Sequence, residues 1–278
     1  MRTLVLKFGG AAVAEVGLFG TIADIIEKRK RIYSRIVVVV SAMGTTTDDL
    51  LRLAKQVHPN PPRRELDMLL SVGERMSIAL LAMALDLKGM EAISFTGSQS
   101  GIITSNEHAD AKIVEMRPWR LQPHLEEEKI VIVAGFQGVS RKGEITTLGR
   151  GGSDTTAVAI AVALHAEKVE FYKDVSGIYN SDPKTDASAA FFNSLSYDAM
   201  LQMAQKGAKV LHPRSVLMAK NNGLPLHVLS FHEAKTVEYP VEIERLGTWI
   251  GQDEKAAVNE CIYEEDAMNP SLTQQLIT

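Results

Sequence analysis

Short apolar runs rich in β-branched residues alternate along the chain with longer segments whose apolar residues recur every three or four positions. The short runs end in glycine or small polar residues, as buried strands do, and the longer segments have helical spacing. The sequence predicts strands at 3–8, 36–40, 91–96, 129–134, 169–172 and 224–230, and helices at 18–33, 48–57, 64–87, 154–165, 197–206 and 213–222.

This alternation predicts an α/β fold of three layers, a mostly parallel open sheet with helices on both faces. Ligands of such folds bind beyond the carboxyl ends of the strands. The proline-rich stretch 58–64 is expected to end one helix and begin the next. The pattern decays over 252–278, and this tail is interpreted either as a docking arm or as a partly disordered segment.

The amino-acid composition argues against several classes of function. With 45% hydrophobic and 23% charged residues, the 278-residue chain has the balance of a globular protein, and its net charge of -4 argues against a nucleic-acid partner. Cys261 is the single cysteine, which excludes an intrachain disulfide and fits a cytoplasmic location. We find no signal peptide and no apolar run of membrane length, and expect no membrane partner.

Two loops after predicted strands, and a third before a predicted helix, could hold phosphate. In the first, Gly9 and Gly10 would let backbone N–H groups approach an anion beside Lys7, although a plain turn with a solvated lysine fits equally. The second, residues 41–48, is rich in hydroxyls, and capping of the next helix by Thr46 or Thr47 would explain it with or without a ligand.

The third loop, LGRGGSDTT at 148–156, combines three glycines with Arg150, Ser153 and Asp154 just before a strongly apolar helix. The N-terminus of that helix favours an anion, and the guanidinium can grip a carboxylate or phosphate at two points. A merely flexible loop does not require these charged residues. Lys209, in GAKVLHP, could reach a phosphate or simply face solvent.

Eight motifs occur in order: KFGG, VVVVSAMG, SVGE, FTGSQSGIIT, AGFQG, LGRGGSD, DVSGIYNSDP and GAKVLHP. Together they resemble the aspartate kinases of the amino acid kinase family. The resemblance implies that residues 1–251 form an amino acid kinase-like sandwich, with the amino acid in the N-terminal lobe and ATP in the C-terminal lobe. It also implies transfer of the ATP γ-phosphate to L-aspartate with Mg²⁺, and a homodimer.

The resemblance further assigns roles to individual residues. Those implied for catalysis are Lys7, Asp154 and Lys209, with Asp154 orienting the lysines or the metal. Those implied for substrate binding are Thr47, Glu74, Phe136, Arg150 and Ser153. Those implied for the nucleotide are Lys7, Gly9, Gly10, Ser41, Lys173, Asp174, Tyr179, Lys184 and Lys209. No protein metal site is expected, because ATP phosphates carry Mg²⁺ in kinases.

At some positions the sequence allows more than one interpretation of a residue's role. Glu74 could belong to a solvated ion-pairing helix face, and His212 is interpreted as structural. Ala11 and Ala12 replace a Thr-Ser pair typical of the family, and Lys173 and Lys184 replace Thr and Arg. A related amino acid could therefore be the substrate, and a non-catalytic nucleotide-binding homologue is a third reading. Residues 252–278 are too few for a regulatory ACT domain, so we expect no feedback inhibition within this chain.

Overall fold

The computed structural model describes residues 2–181, 183, 185–186, 188–208, 210–237 and 243–251. Their strands are β1 (Thr3–Phe8), β2 (Arg35–Val40), β3 (Ala92–Phe95), β4 (Ile102–Thr104), β5 (Ile113–Met116), β6 (Ile130–Ala134), β7 (Gln137–Ser140), β8 (Ile145–Thr147), β9 (Val169–Lys173), β10 (Ile178–Tyr179), β11 (Phe191–Phe192), β12 (Ser194–Ser196), β13 (Leu226–Ser230) and β14 (Thr248–Gly251). Their helices are α1 (Leu18–Lys30), α2 (Thr46–Val57), α3 (Arg63–Leu70), α4 (Val72–Asp86), α5 (Gln122–Glu126), α6 (Gly152–Ala163), α7 (Tyr197–Gln205), α8 (Pro213–Asn222) and α9 (Phe231–Ala234).

A main sheet in the order β12-β14-β13-β9-β1-β2-β6-β3 runs through the described residues. Its neighbouring strands are parallel except for β13 and β14. The central strand β1 pairs with β2 on one side and with β9 on the other. The order of strands along the chain therefore reverses direction at β1. In such sheets, ligands bind in the crevice beyond the carboxyl ends of the strands at this point.

The predicted three-layer architecture is confirmed by two hydrophobic cores, one on each face of the main sheet. Leu4, Leu6 and Phe8 of β1 pack with α1 and α4, whereas Val5 packs with α5, α6 and α8. Side chains alternate along a strand, so Lys7 falls on the same face as Val5. The side chain of Lys7 therefore points toward the face of the sheet that α6 covers.

All six predicted strands lie in the main sheet, within two residues of their predicted ends. The sequence did not predict the edge strand β12 and its neighbour β14, nor a second sheet in the order β5-β4-β7-β8. Each of these has only three or four residues. Such segments are too short for an alternating pattern to stand out from loop sequence.

The single helix predicted over 64–87 is two helices, α3 and α4, that meet at Ser71. The side-chain amide of Gln137 donates to the Ser71 carbonyl at 2.9 Å, which satisfies a backbone group at the break. The proline-rich stretch before α3 behaves as predicted: α2 ends at Val57, and Pro62 directly precedes α3.

The expectation that no apolar run reaches membrane length was wrong for Arg63–Asp86. This stretch is long and apolar enough to cross a membrane by length and composition. It nevertheless carries the buried carboxylates Asp67 and Glu74 and packs against the sheets of the fold as α3 and α4. The interpretations of the tail fall on residues 252–278, outside the described residues.

Candidate active site

Lys7 and Asp154 form a buried ion pair at the carboxyl end of β1. The Lys7 Nζ lies 2.7 Å from Asp154 Oδ1, in the first turn of α6. Burial lowers the pKa of Lys7 to about 8, although the Asp154 carboxylate opposes it. Burial also raises the pKa of Asp154, but the ammonium groups of Lys7 and Lys173 outweigh that effect and hold it at about 2. Asp154 is therefore ionised at neutral pH.

A cavity of about 780 Å³ opens beside this pair. The structure gathers around it six of the residues predicted for the nucleotide side: Lys7, Gly9, Gly10, Lys173, Asp174 and Tyr179. The sequence missed the opposite wall, where Met203, Lys206 and Val210 come from the end of α7 and the segment after it. The motif GAKVLHP gave a signal there, but it drew attention to Lys209, which lies outside the described residues.

The glycines after β1 allow close backbone packing at the mouth of this cavity. A Cβ on Gly10 would lie 3.3 Å from the carbonyl oxygen of Ala42, and the Gly44 N–H donates to the Gly10 carbonyl at 3.2 Å. The loops after β1 and β2 are therefore stacked on each other. Ser41 follows β2 in this arrangement and is half-buried.

The helix α6 begins directly after the glycine-rich loop. Gly151 is its N-cap, with a φ of 69° and no side-chain capping bond. A side chain there would strike the His212 ring, since a Cβ would lie within 2.3 Å of its Cγ. The loop is thus held tightly, and its uncapped helix N-terminus favours an anion.

The predicted substrate residues lie on the turns around this helix. Ser153 is buried against Gly135, after β6, where a Cβ would lie 2.7 Å from the serine hydroxyl. Phe136 has a φ of 67° and donates its backbone N–H to the Thr156 hydroxyl. Arg150 is exposed, and its guanidinium has no hydrogen bond or ion pair within the described part of the chain. It is therefore available to a ligand.

Glu74 lies in the first turn of α4 and is only 3% exposed, so the interpretation as a solvated ion-pairing residue was wrong. Its Oε1 accepts the backbone N–H of Ala42 at 3.0 Å, which ties it to the loop after β2. Its Oε2 is buried without a hydrogen-bond partner among the described residues. Burial raises the pKa of Glu74 to about 7. A buried carboxylate oxygen of this kind suits a ligand ammonium group.

Two smaller interpretations have clear outcomes. Neither Thr46 nor Thr47 caps α2; Thr45 is its N-cap, and the Thr45 hydroxyl bonds to Asp49 at 3.0 Å. The half-buried Thr47 lies in the first turn of α2. The structural interpretation of His212 is supported, because its Nδ1 caps α8 by accepting the backbone N–H of Arg214. Lys184, like Lys209, lies outside the described residues.

The described residues contain no cluster of three or more His, Cys, Asp or Glu side chains that could hold a metal ion. Their donors fit a nucleotide that brings its own cation, because small hard cations such as Mg²⁺ are held largely by phosphates and water. Beside the cavity, the ammonium groups of Lys7 and Lys173 share the carboxylate of Asp154.

Comparisons with known proteins found relatives in both sequence and structure. The chain is 51% identical over 248 residues to an aspartokinase of Bacillus sp. (strain MGA3), a match covering 88% of this chain and 60% of that protein. Among solved structures, aspartate kinase from Synechocystis is 46% identical with a TM-score of 0.77, over 90% of this chain and 40% of that one. E. coli aspartokinase III in complex with aspartate and ADP is 28% identical with a TM-score of 0.79, over 90% of this chain and 65% of that one.

The chain thus spans little more than half the length of the curated relatives it matches. The model of the amino acid kinase family matches residues 2–230, a region that includes the Lys7–Asp154 pair, the cavity and the glycine-rich loop. The chain belongs to the amino acid kinase family.

Proposed function

We propose that this protein is an aspartate kinase, which transfers the γ-phosphate of ATP to the β-carboxylate of L-aspartate and forms 4-phospho-L-aspartate. The observation that carries the proposal is the buried Lys7–Asp154 pair, in which Lys7 lines the cavity after β1. Relatives named aspartokinase and about half identical in sequence support the choice of reaction.

The chemistry suits a site without a general base. A β-carboxylate is already ionised at pH 7, so the enzyme must align it with the γ-phosphate and neutralise charge. An oxygen of the carboxylate attacks the γ-phosphorus, the bond from phosphorus to the β,γ-bridging oxygen breaks, and ADP leaves with the electron pair. Lys7 lies where it can compensate the charge of this transition state.

The amino acid would be held by its two charged ends. The free guanidinium of Arg150 suits the α-carboxylate, and the unpaired Oε2 of Glu74 suits the ammonium group. Thr47, Phe136 and Ser153 complete this side in the proposal. On the other side, Gly9, Gly10, Ser41, Lys173, Asp174 and Tyr179 surround ATP, joined by Lys184 and Lys209. Mg²⁺ carried by the phosphates would neutralise charge on them, and Asp154 orients Lys7.

A second candidate keeps ATP and changes the amino acid. Ala11 and Ala12 line the cavity and present methyl groups, so the site has two hydroxyls fewer than the family pattern. A substituted aspartate or another amino acid carboxylate could then be the acceptor. A homodimer is part of the main proposal, and sedimentation showing only single chains would remove it.

The experiment is ATP-dependent acyl-phosphate formation, trapped with hydroxylamine as the hydroxamate, with L-aspartate and a panel of related amino acids. Hydroxamate with aspartate, lost in Lys7→Met and kept in Lys220→Met, supports the proposal. Lys220 pairs with Asp198 at the surface, so the control variant loses a lysine–aspartate ion pair away from the cavity. Product with another acid alone selects the second candidate. ATP binding without any product would mean a nucleotide-binding homologue.

A further inference from the structure

A second lysine shares the carboxylate of Asp154. The Lys173 Nζ lies 3.0 Å from Asp154 Oδ2 and 3.3 Å from Oδ1, while Lys7 holds Oδ1 at 2.7 Å. Lys7 comes from β1 and Lys173 from the end of the neighbouring strand β9. Neither lysine has another carboxylate within salt-bridge distance in the described residues. The cluster of Lys7, Asp154 and Lys173 therefore carries one net positive charge.

The excess charge is directed at the cavity. Both lysines line it, together with Gly9 and Gly10. Lys173 is the more accessible of the two, with 16% of its side chain exposed against 5% for Lys7. Asp154 is buried and fixed by α6, so it can hold both ammonium groups in place before a ligand enters. Pre-positioned cations lower the cost of binding a polyanion.

We propose that Lys173 is a second phosphate-binding cation, which supplies part of the charge neutralisation that a divalent cation otherwise brings to the ATP phosphates. The inference rests on the proposed function, since it takes the cavity to be the ATP site. It adds that Lys173 and the divalent cation act on the same phosphate charge and are partly redundant.

The redundancy follows from Coulomb's law. An ammonium group attracts a nearby phosphate oxygen more strongly at a partly buried site than in bulk water, because the effective dielectric constant there is lower. A divalent cation on the same phosphates removes much of the charge to which the lysine responds. Loss of Lys173 should therefore weaken binding of metal-free ATP more than binding of Mg-ATP. A lysine that only braced Asp154 would show no such dependence on metal.

The test measures equilibrium binding of ATP, in excess EDTA and in saturating Mg²⁺, to the parent protein, Lys173→Met and Lys173→Arg. Methionine keeps the length of the side chain and removes its charge, whereas arginine keeps the charge. We expect Lys173→Met to raise the Kd for metal-free ATP about tenfold, or about 1.4 kcal/mol, and the Kd for Mg-ATP about threefold or less. Lys173→Arg should recover most of the loss.

Binding, unlike turnover, does not depend on the identity of the amino acid. Equal losses with and without Mg²⁺, or no loss in either, would overturn the role of Lys173 and leave the kinase proposal intact. If the parent protein bound ATP in neither condition, the proposed function would fail first and the inference with it. Lys220→Met serves as the control for loss of a lysine–aspartate pair, and thermal unfolding checks that each variant is folded.

Discussion

The carboxylate of Asp67 accepts a hydrogen bond from the hydroxyl of Thr147 at 2.5 Å. Asp67 is fully buried in α3, and Thr147 ends β8, three residues before Arg150. The same carboxylate accepts the backbone N–H of Ala109 at 3.1 Å, in a turn where this alanine has a φ of 71°. One side chain thus fixes the strand that leads into the glycine-rich loop.

Replacing Asp67 with alanine should therefore damage both stability and amino acid binding. The hydroxyl of Thr147 and the N–H of Ala109 would lose their buried acceptor, at about 1–3 kcal/mol for each unsatisfied group. Because β8 leads to Arg150, we expect the KM for the amino acid to rise more than the KM for ATP. Asp67→Asn keeps an acceptor oxygen and should lose less. Denaturant unfolding and steady-state kinetics measure both effects; equal changes in the two KM values would contradict the positioning role.

The pH dependence of activity should have two limbs. The raised pKa of Glu74, about 7, means that its carboxylate protonates below that pH and can no longer attract the substrate ammonium group. The lowered pKa of Lys7, about 8, means that its positive charge is lost above that pH. We expect kcat/KM for the amino acid to fall on both sides of a maximum between these values.

Single substitutions show which residue causes each limb of the pH profile. Glu74→Gln should remove the acidic limb along with most of the amino acid affinity. Lys7→Arg should extend the alkaline limb upward in whatever activity remains, because arginine keeps its proton. A profile that stayed flat from pH 6 to 9 would show that neither group titrates in the free enzyme.

Glu74 also predicts a conflict between stability and function. Its pKa is higher in the folded protein than in the unfolded chain, so its contribution to stability is present below about pH 4.5 and is lost as the pH rises through about 7. Relative to an uncharged side chain, Glu74 should destabilise the fold by about 3 kcal/mol at pH 8, where its carboxylate is ionised and buried, and by about 1 kcal/mol at pH 5, where it must take up a proton on folding. Glu74→Gln should therefore gain more unfolding free energy at pH 8 than at pH 5. Denaturation at the two pH values measures this, and an equal gain at both would contradict it.

Alanine substitutions at two glycines distinguish destabilisation by backbone strain from destabilisation by steric clash. Gly151 and Gly143 both have positive φ, of 69° and 84°. A Cβ at Gly143 meets nothing within 4 Å, whereas at Gly151 it would lie 2.2 Å from the Cβ of His212. Gly143→Ala should lose about 1–2 kcal/mol of unfolding free energy and keep its activity. Gly151→Ala should lose more than that, and turnover as well, because α6 carries Asp154.

Thermal unfolding and the hydroxamate assay measure these effects on the same preparations. Equal losses of stability in Gly151→Ala and Gly143→Ala would mean that the neighbouring His212 yields to the new methyl group.

The six long strands, and the lysine and glycine residues that line the cavity, could be predicted from the sequence because each is marked by its local sequence. Uninterrupted β-branched runs identify buried parallel strands, and glycine with lysine at their ends identifies the ligand edge. The position of Lys7 opposite α6 follows from the alternation of side chains along β1. Features that depend only on neighbouring residues can be predicted without knowing which helices and strands pack together.

Contacts between distant segments could not be predicted in this way. The pattern around Glu74 is that of a solvated helix face, but in the fold Glu74 is buried and accepts the backbone N–H of Ala42 from the loop after β2. Asp67 carries no motif of its own, yet it joins α3, the turn at Ala109 and β8. The pairing of Lys173 with Asp154 likewise requires β9 to lie beside β1.

The sequence by itself determined the layered α/β plan and the chemistry available at the carboxyl edge of the sheet, because periodicity and residue type act over a few positions. The tertiary structure decided which charges face one another, which are buried and which remain free for a ligand. Desolvation and ion pairing depend on distances across the fold, and it is these that place the pKa of Glu74 near 7 and set two lysines on one aspartate.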